Sequence, residues 1–224
     1  LGVRYTRISG GLMLDIQDTV DAWLHSLDVH VNERKLPDSP LPVHPEPKPG
    51  TPGAAPLTES ELTWYLRATG ILQYASKVHV SVMHAAVWLN SARSRATKHH
   101  MDLARRSLLF LHAESRRGIP LVRVSGDAPP LAFSSDTDWA ACPFTRKSIT
   151  CNLAFFFGML YSAWVNRQKT VALSSAHAET IGMSEAAKRI VAARRICADM
   201  RIQLPLTPLS IDNAAAKVIG ENDV

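Results

Sequence analysis

The sequence predicts an α/β (α+β) chain, a mixed sheet with flanking helices preceded by a small helical region. Three observations carry that prediction. Apolar residues recur at helical spacing through residues 58–120. From residue 127 onward the pattern changes to β-branched and aromatic runs broken by turn residues. One long and one short amphipathic stretch then alternate with a further short run, giving the order β-β-β-α-β-α, which suits helices packed on a mixed sheet.

Residues 1–29 read as a small hairpin, two alternating runs around Gly10-Gly11, then a short helix opened by Asp18. Val20, Trp23, Leu24 and Leu27 share one side of that helix. Residues 36–57 form a Pro-rich linker. Eight of the fourteen prolines fall within 36–56, and missing N–H groups with fixed φ exclude a regular element, so it runs extended over a surface. A proline-rich ligand for an SH3-type module is the lesser reading of it. Thr58 with Glu61 makes a capping box for the first helix of the block. Val80 to Leu89 is the second, and a third starts near Thr97, carries Met101, Ala104, Leu108 and Leu111 on one stripe, and ends by Gly118. His99 and His100 point about 100° apart and are expected on a solvated face.

Leu131–Ser135 is a strand approach, and Ile149–Leu160 and Tyr161–Val165 are strand runs broken near Gly158. Ser174 or Ser175 caps a helix that extends to about Met200. Leu204–Ile211 gives a short strand and Asn213–Ile219 a last helix.

Composition narrows the function classes. At 224 residues the chain holds one large domain or two small ones, with no apolar run of about 18 residues to suggest a membrane span. Three widely spaced cysteines, Cys142, Cys151 and Cys197, argue against a disulfide framework or a zinc site and for a reducing, intracellular compartment. A net charge of +5 and pI near 9.3 suit a polyanionic partner. Between Arg93 and Arg117 seven Lys/Arg face only Asp102 and Glu114, a basic helical region suited to a nucleic-acid backbone.

Three acidic motifs carry the chemistry: Asp136 after a strand, Glu179 at the start of the long helix and Asp212 at the end of another strand. The helix's sheet-facing stripe is Met183, Ala186, Ala187, Ile190, Ala193, Cys197 and Met200, and Glu179 lies four residues before Met183 on the same face. An inward carboxylate costs several kcal/mol unless a cation meets it. Three such groups at one point suit Mg²⁺, and a pair of ions about 3.5–4 Å apart activates water in phosphodiester hydrolysis. The bland alternative makes Asp136 and Asp212 turn formers and Glu179 a helix-start residue. An unrelated α/β protein would leave the three more than about 10 Å apart, too far to share that metal pair.

The motifs LAFSSDTDWA (131–140), RKS (146–148), QKTVALSS (168–175), AE (178–179), SEAAK (184–188) and DN (212–213) stand in an order that resembles the RNase H domain of copia-type LTR retrotransposon Pol polyproteins. YLRATGILQYA (65–75), with His100 and the Arg105 to Leu111 run, resembles the segment that joins polymerase to RNase H in that family. Leu1-Gly2 resembles the end of the polymerase palm. The resemblance implies a palm-like end at 1–35, the linker at 36–57, a helical connection or thumb-like region at 58–120 and an RNase H-like domain at 127–224, truncated before the family's fourth carboxylate. It implies Mg²⁺-dependent cleavage, with Mn²⁺ as a substitute and two ions, of the RNA strand of an RNA–DNA hybrid. Asp136, Glu179 and Asp212 would be the catalytic and metal-binding carboxylates. Ser135, Asp138, Arg146, Gln168 and Asn213 are the substrate-binding candidates. The rest of the polyprotein is a further implied partner, with the cytoplasm, in a virus-like particle, or the nucleus as location. The polymerase's paired aspartates belong upstream, so no polymerase activity is expected. The chain departs from the family at residues 76–80, SKVHV, and at residues 147–151, KSITC. The rival reading is a degenerate, non-catalytic fragment that binds nucleic acid or serves as a scaffold.

Overall fold

A computed structural model describes residues 2–43, 45, 55–122, 124, 126–142 and 144–221. The expected linker lies outside the described residues at 44 and 46–54. The chain divides into two units, Leu1–Pro120 and Leu121–Val224.

In the first unit β1 (Arg4–Ile8) and β2 (Gly11–Asp15) pair as an antiparallel hairpin. Gly10 closes it at φ +76°, a conformation glycine adopts without steric cost. Helix α1 (Gln17–Ser26) begins one residue before Asp18, because Asp15 Oδ1 accepts the Gln17 N–H at 2.7 Å. Helix α2 (Glu59–Ala75) has the expected capping box, with Thr58 N–H donating to Glu61 and Glu61 N–H to Thr58 Oγ1. A 3₁₀ turn at Val80–Val82 precedes α3 (Met83–Ser91), and α4 (Lys98–Ser115) follows the Thr97 cap. The core gathers Val20 and Leu24 from α1, Tyr65 and Leu72 from α2, Trp88 and Leu89 from α3, and Leu108 and Leu111 from α4. Chain on both sides of the undescribed linker segment lies on α4: Ser107 Oγ donates to Pro40 O at 2.9 Å, and Lys98 N–H to Ala55 O at 3.2 Å.

His100 corrects an expectation. It is 4% exposed, stacks on Trp88 with ring centroids 5.6 Å apart, and closes the Thr97 capping box through Nδ1. The basic region is also less free than its composition suggests. Arg116 makes two bonds to Glu33, Arg106 binds Ser39 and Asp38, Arg117 pairs with Glu114, Lys98 with Glu61, and Arg105 lies over Trp64. Strand β3 (Ile119–Val122) lies at the division between the units.

The second unit is a mixed α/β fold, an open sheet flanked by helices. Strands β4 (Leu131–Asp138), β5 (Ile149–Phe156) and β6 (Met159–Arg167) are antiparallel. After α5 (Ser175–Asp199), β7 (Leu209–Ser210) joins β4 in parallel, giving the order β6-β5-β4-β7, and α6 (Ala214–Glu221) packs on α5. Phe157 and Gly158, both at positive φ, turn β5 into β6, as two-residue hairpin loops require. Alternation along β4 buries Leu131, Phe133, Ser135 and Thr137. Leu131, Phe133 and Ala154 form the sheet's core cluster, with Trp164, Ile190 and Ala193 packed on it.

Two expectations about these elements change. The buried residues of α5 are Ala178, Glu179, Gly182, Ala186 and Cys197; Ala187 and Met200 are exposed. Ala187 lies about 100° around the helix from Ala186, and Met200 is the C-cap, where helical spacing no longer sets direction. Strand β7 has two residues rather than eight, because Pro205 and Pro208 bring no N–H to a ladder.

Candidate metal centre

Strands β4 and β7 run in parallel, and their carboxyl ends are where open α/β sheets collect ligands. Their pairing stops at Ser134↔Ser210. Beyond that point the Thr137 N–H donates to Glu179 Oε1 at 3.0 Å instead. Asp136, one residue earlier on β4, is exposed, and Asp212 follows β7 by two residues. One carboxylate oxygen from each of Asp136, Glu179 and Asp212 lies within 4.8 Å of the others. The separation of more than about 10 Å that an unrelated fold would show is not found.

The helix reaches that position because residue 182 is glycine. A Cβ there would stand 2.6 Å from Thr137 Oγ1, 3.0 Å from Thr150 Cγ2 and 3.1 Å from Ser135 Oγ. An isolated glycine three residues after Glu179 in a helical pattern was a sequence-level sign of such an approach. Thr137 and Thr150, whose hydroxyls lie 3.1 Å apart under the helix, carried no comparable sign.

Glu179 is 4% exposed, and its Oε2 has no hydrogen-bond partner. Burial pushes its carboxyl above the usual range, the Thr137 N–H pulls it down, and the charges of Asp136 and Asp212 push it up again. The Asp136 charge also acts across the sheet: burial first, then that carboxylate, raises the thiol of its partner Cys151. Among the described residues no ion pair involves any of the three carboxylates. Three hard oxygen donors, one buried and unpartnered, fit a divalent cation. This acidic cluster can coordinate a metal ion, as metal-dependent nuclease sites in general do.

The remaining candidates fall in different places. Ser135 is buried beside the helix with its hydroxyl unpartnered. Gln168 is buried and donates to Thr150 Oγ1 at 2.9 Å and Ala178 O at 2.8 Å, which ties β5 to the first turn of α5. Asn213 Oδ1 accepts the Ala216 N–H at 3.0 Å and so caps α6. Asp138 is exposed at the end of β4, and Arg146 is exposed at φ +54° in the loop before β5. The three cysteines are free, and among the described residues no helix is long and apolar enough to cross a membrane.

No family model matches the chain, and no solved structure matches it. Among curated proteins it is similar to "Secreted RxLR effector protein 161" from Plasmopara viticola. The two are 32% identical over 128 residues, which are 57% of this chain and 89% of that protein.

Proposed function

The chain belongs to the same family as the Plasmopara viticola protein, and we propose that its second unit is an RNase H-type nuclease that hydrolyses the RNA strand of RNA–DNA hybrids. In this reading the unit is the RNase H portion of a copia-type retrotransposon Pol polyprotein, acting inside the cell with the rest of that polyprotein. The observation that carries it is the meeting of Asp136, Glu179 and Asp212 at the carboxyl ends of β4 and β7. The element order and the sheet order β6-β5-β4-β7 support an RNase H-like arrangement.

Asp136, Glu179 and Asp212 would hold Mg²⁺ or Mn²⁺, as one ion or as the pair the family resemblance implies. A bound cation supplies an activated water and charge stabilisation at the leaving oxygen. The chain's own residues do the rest. The Thr137 N–H fixes Glu179 Oε1 and leaves Oε2 for ligation, while Asp136 faces solvent, where a phosphodiester can approach. Asp138 and Arg146, both exposed, would be the contacts to a strand, and RNA would be distinguished there by its 2′-hydroxyls.

A second reading takes its support from the relative's name, which describes a secreted effector. On that reading the unit is a non-catalytic scaffold and the carboxylates are inherited. Cleavage of an end-labelled RNA–DNA hybrid separates the two. The nuclease reading expects Mg²⁺-dependent product that falls to background in Asp136→Asn. Hybrid binding without cleavage leaves the scaffold.

A further inference from the structure

Trp139 comes directly after β4, three residues beyond Asp136, and is 48% exposed. Its ring is nevertheless held in place. The indole Nε1–H donates to Ala172 O at 3.1 Å, in the segment that leads into α5. The Lys147 ammonium donates to Lys169 O, so the chain after β4 and the chain before α5 are tied at two points. The chain after β4 is also closed on itself. Ala140 N–H donates to Ser148 Oγ at 3.1 Å, and Cys142 N–H to Lys147 O at 3.0 Å. Among the described residues no aromatic ring packs on Trp139. Val171 and Leu173, on either side of Ala172, are 49% and 86% exposed. An indole fixed by its nitrogen, with ring area left in water, has apolar surface to offer and little side-chain entropy to lose when covered.

What covers it follows from its surroundings. Three residues of chain span no more than about 11 Å, so Trp139 stands within about three stacked nucleotides of Asp136. Arg146 and Lys169 are exposed and have no ion pair among the described residues. They attract a phosphate chain through the local field, and no direct contact is asked of them. We propose that Trp139 is a stacking platform for an unpaired base of a nucleic-acid strand whose backbone passes the carboxylate centre. The inference rests on the nuclease reading of that centre and narrows its substrate to one with a single-stranded stretch. A base inside a hybrid is already paired and stacked, whereas unpaired bases are the ones that aromatic side chains take up. Such stacking accepts every base, so the platform sets where the strand lies without selecting a sequence.

The test is NMR titration of the intact chain in EDTA, read at the Trp139 indole N–H, which is identified by its loss in Trp139→Phe. The probes are an octamer of uridine, an abasic octamer with the same backbone, a blunt RNA–DNA hybrid and that hybrid with a uridine overhang. Saturable shifts with the uridine octamer and the overhang are expected, with weaker binding of the abasic octamer and the blunt hybrid. Trp139→Ala and Trp139→Leu should each weaken the uridine octamer about tenfold, while Trp139→Phe, which keeps a flat ring, stays near the parent. Equal affinity for the uridine and abasic octamers, or unchanged affinity in Trp139→Ala, overturns the proposal. So do indole shifts that depend on protein concentration alone, which would place a second copy of the chain on the ring. Without metal no cleavage enters the readout. Cleavage of the hybrid in Mg²⁺ without base-dependent binding removes the platform and keeps the nuclease; base-dependent binding without cleavage does the reverse.

Discussion

Glu179 is held from one side. One oxygen takes the Thr137 N–H, and the other faces two aspartates without a donor. That asymmetry depends on Gly182, where a methyl group would displace the helix from Ser135, Thr137 and Thr150. Gly182→Ala is therefore expected to destabilise the second unit by about 1–3 kcal/mol in denaturant titrations, despite alanine's better helix propensity. In the first unit, burial and then the neighbouring His99 hold His100 at a pKa of about 4, and its Nδ1 accepts the Thr97 N–H, a role that needs the neutral ring. The unfolded chain takes up that proton near pH 6.5, while the folded chain resists it until about pH 4. Stability is then complete above pH 6.5 and falls as pH drops toward 4, by about 2–3 kcal/mol. Denaturation midpoints at pH 7 and 4.5 should show the loss, and His100→Gln should flatten it. Adjacent histidines in sequence do not reveal which one a tryptophan covers, and Trp88 decided that by tertiary contact. The three acids were legible one by one. The backbone donor that orients Glu179 was not, because an N–H freed by a short neighbouring strand has no sequence signature.

At the scale of elements, periodicity located each α-helix among the described residues and the β-β-β-α-β-α order of the second unit, since each has a face that must be buried. Ends were less legible. Prolines shortened β7, and the 3₁₀ turn at Val80–Val82 delayed α3 until Met83. Gln168 shows how elements are joined across those ends. Its amide spans Thr150 of β5 and the Ala178 carbonyl, fixing the turn of α5 that carries Glu179. Gln168→Leu removes both donors, taking one hydrogen bond from the Thr150 hydroxyl and the side-chain bond from the Ala178 carbonyl. It should cost about 1–3 kcal/mol of stability and weaken divalent-cation binding by calorimetry, even though Gln168 is not a ligand.

For the whole molecule, the two units differ in what stabilises them. The carboxylates lie entirely in the second unit, so Mn²⁺ or Mg²⁺ should raise the melting temperature of its transition and leave that of the first unchanged. At a hundredfold excess over Kd the gain is about 2.7 kcal/mol. Glu179→Gln should abolish the metal response and raise metal-free stability by on the order of 1 kcal/mol, because an unpaired buried charge disappears. Differential scanning calorimetry with and without EDTA reads both effects. Strand β7 adds a kinetic consequence. With two ladder positions against β4, the edge that delivers Asp212 has little to keep it from fraying. A captured ion would act as the latch on that edge, and its residence time would be set by how often the edge opens as much as by its own ligand bonds.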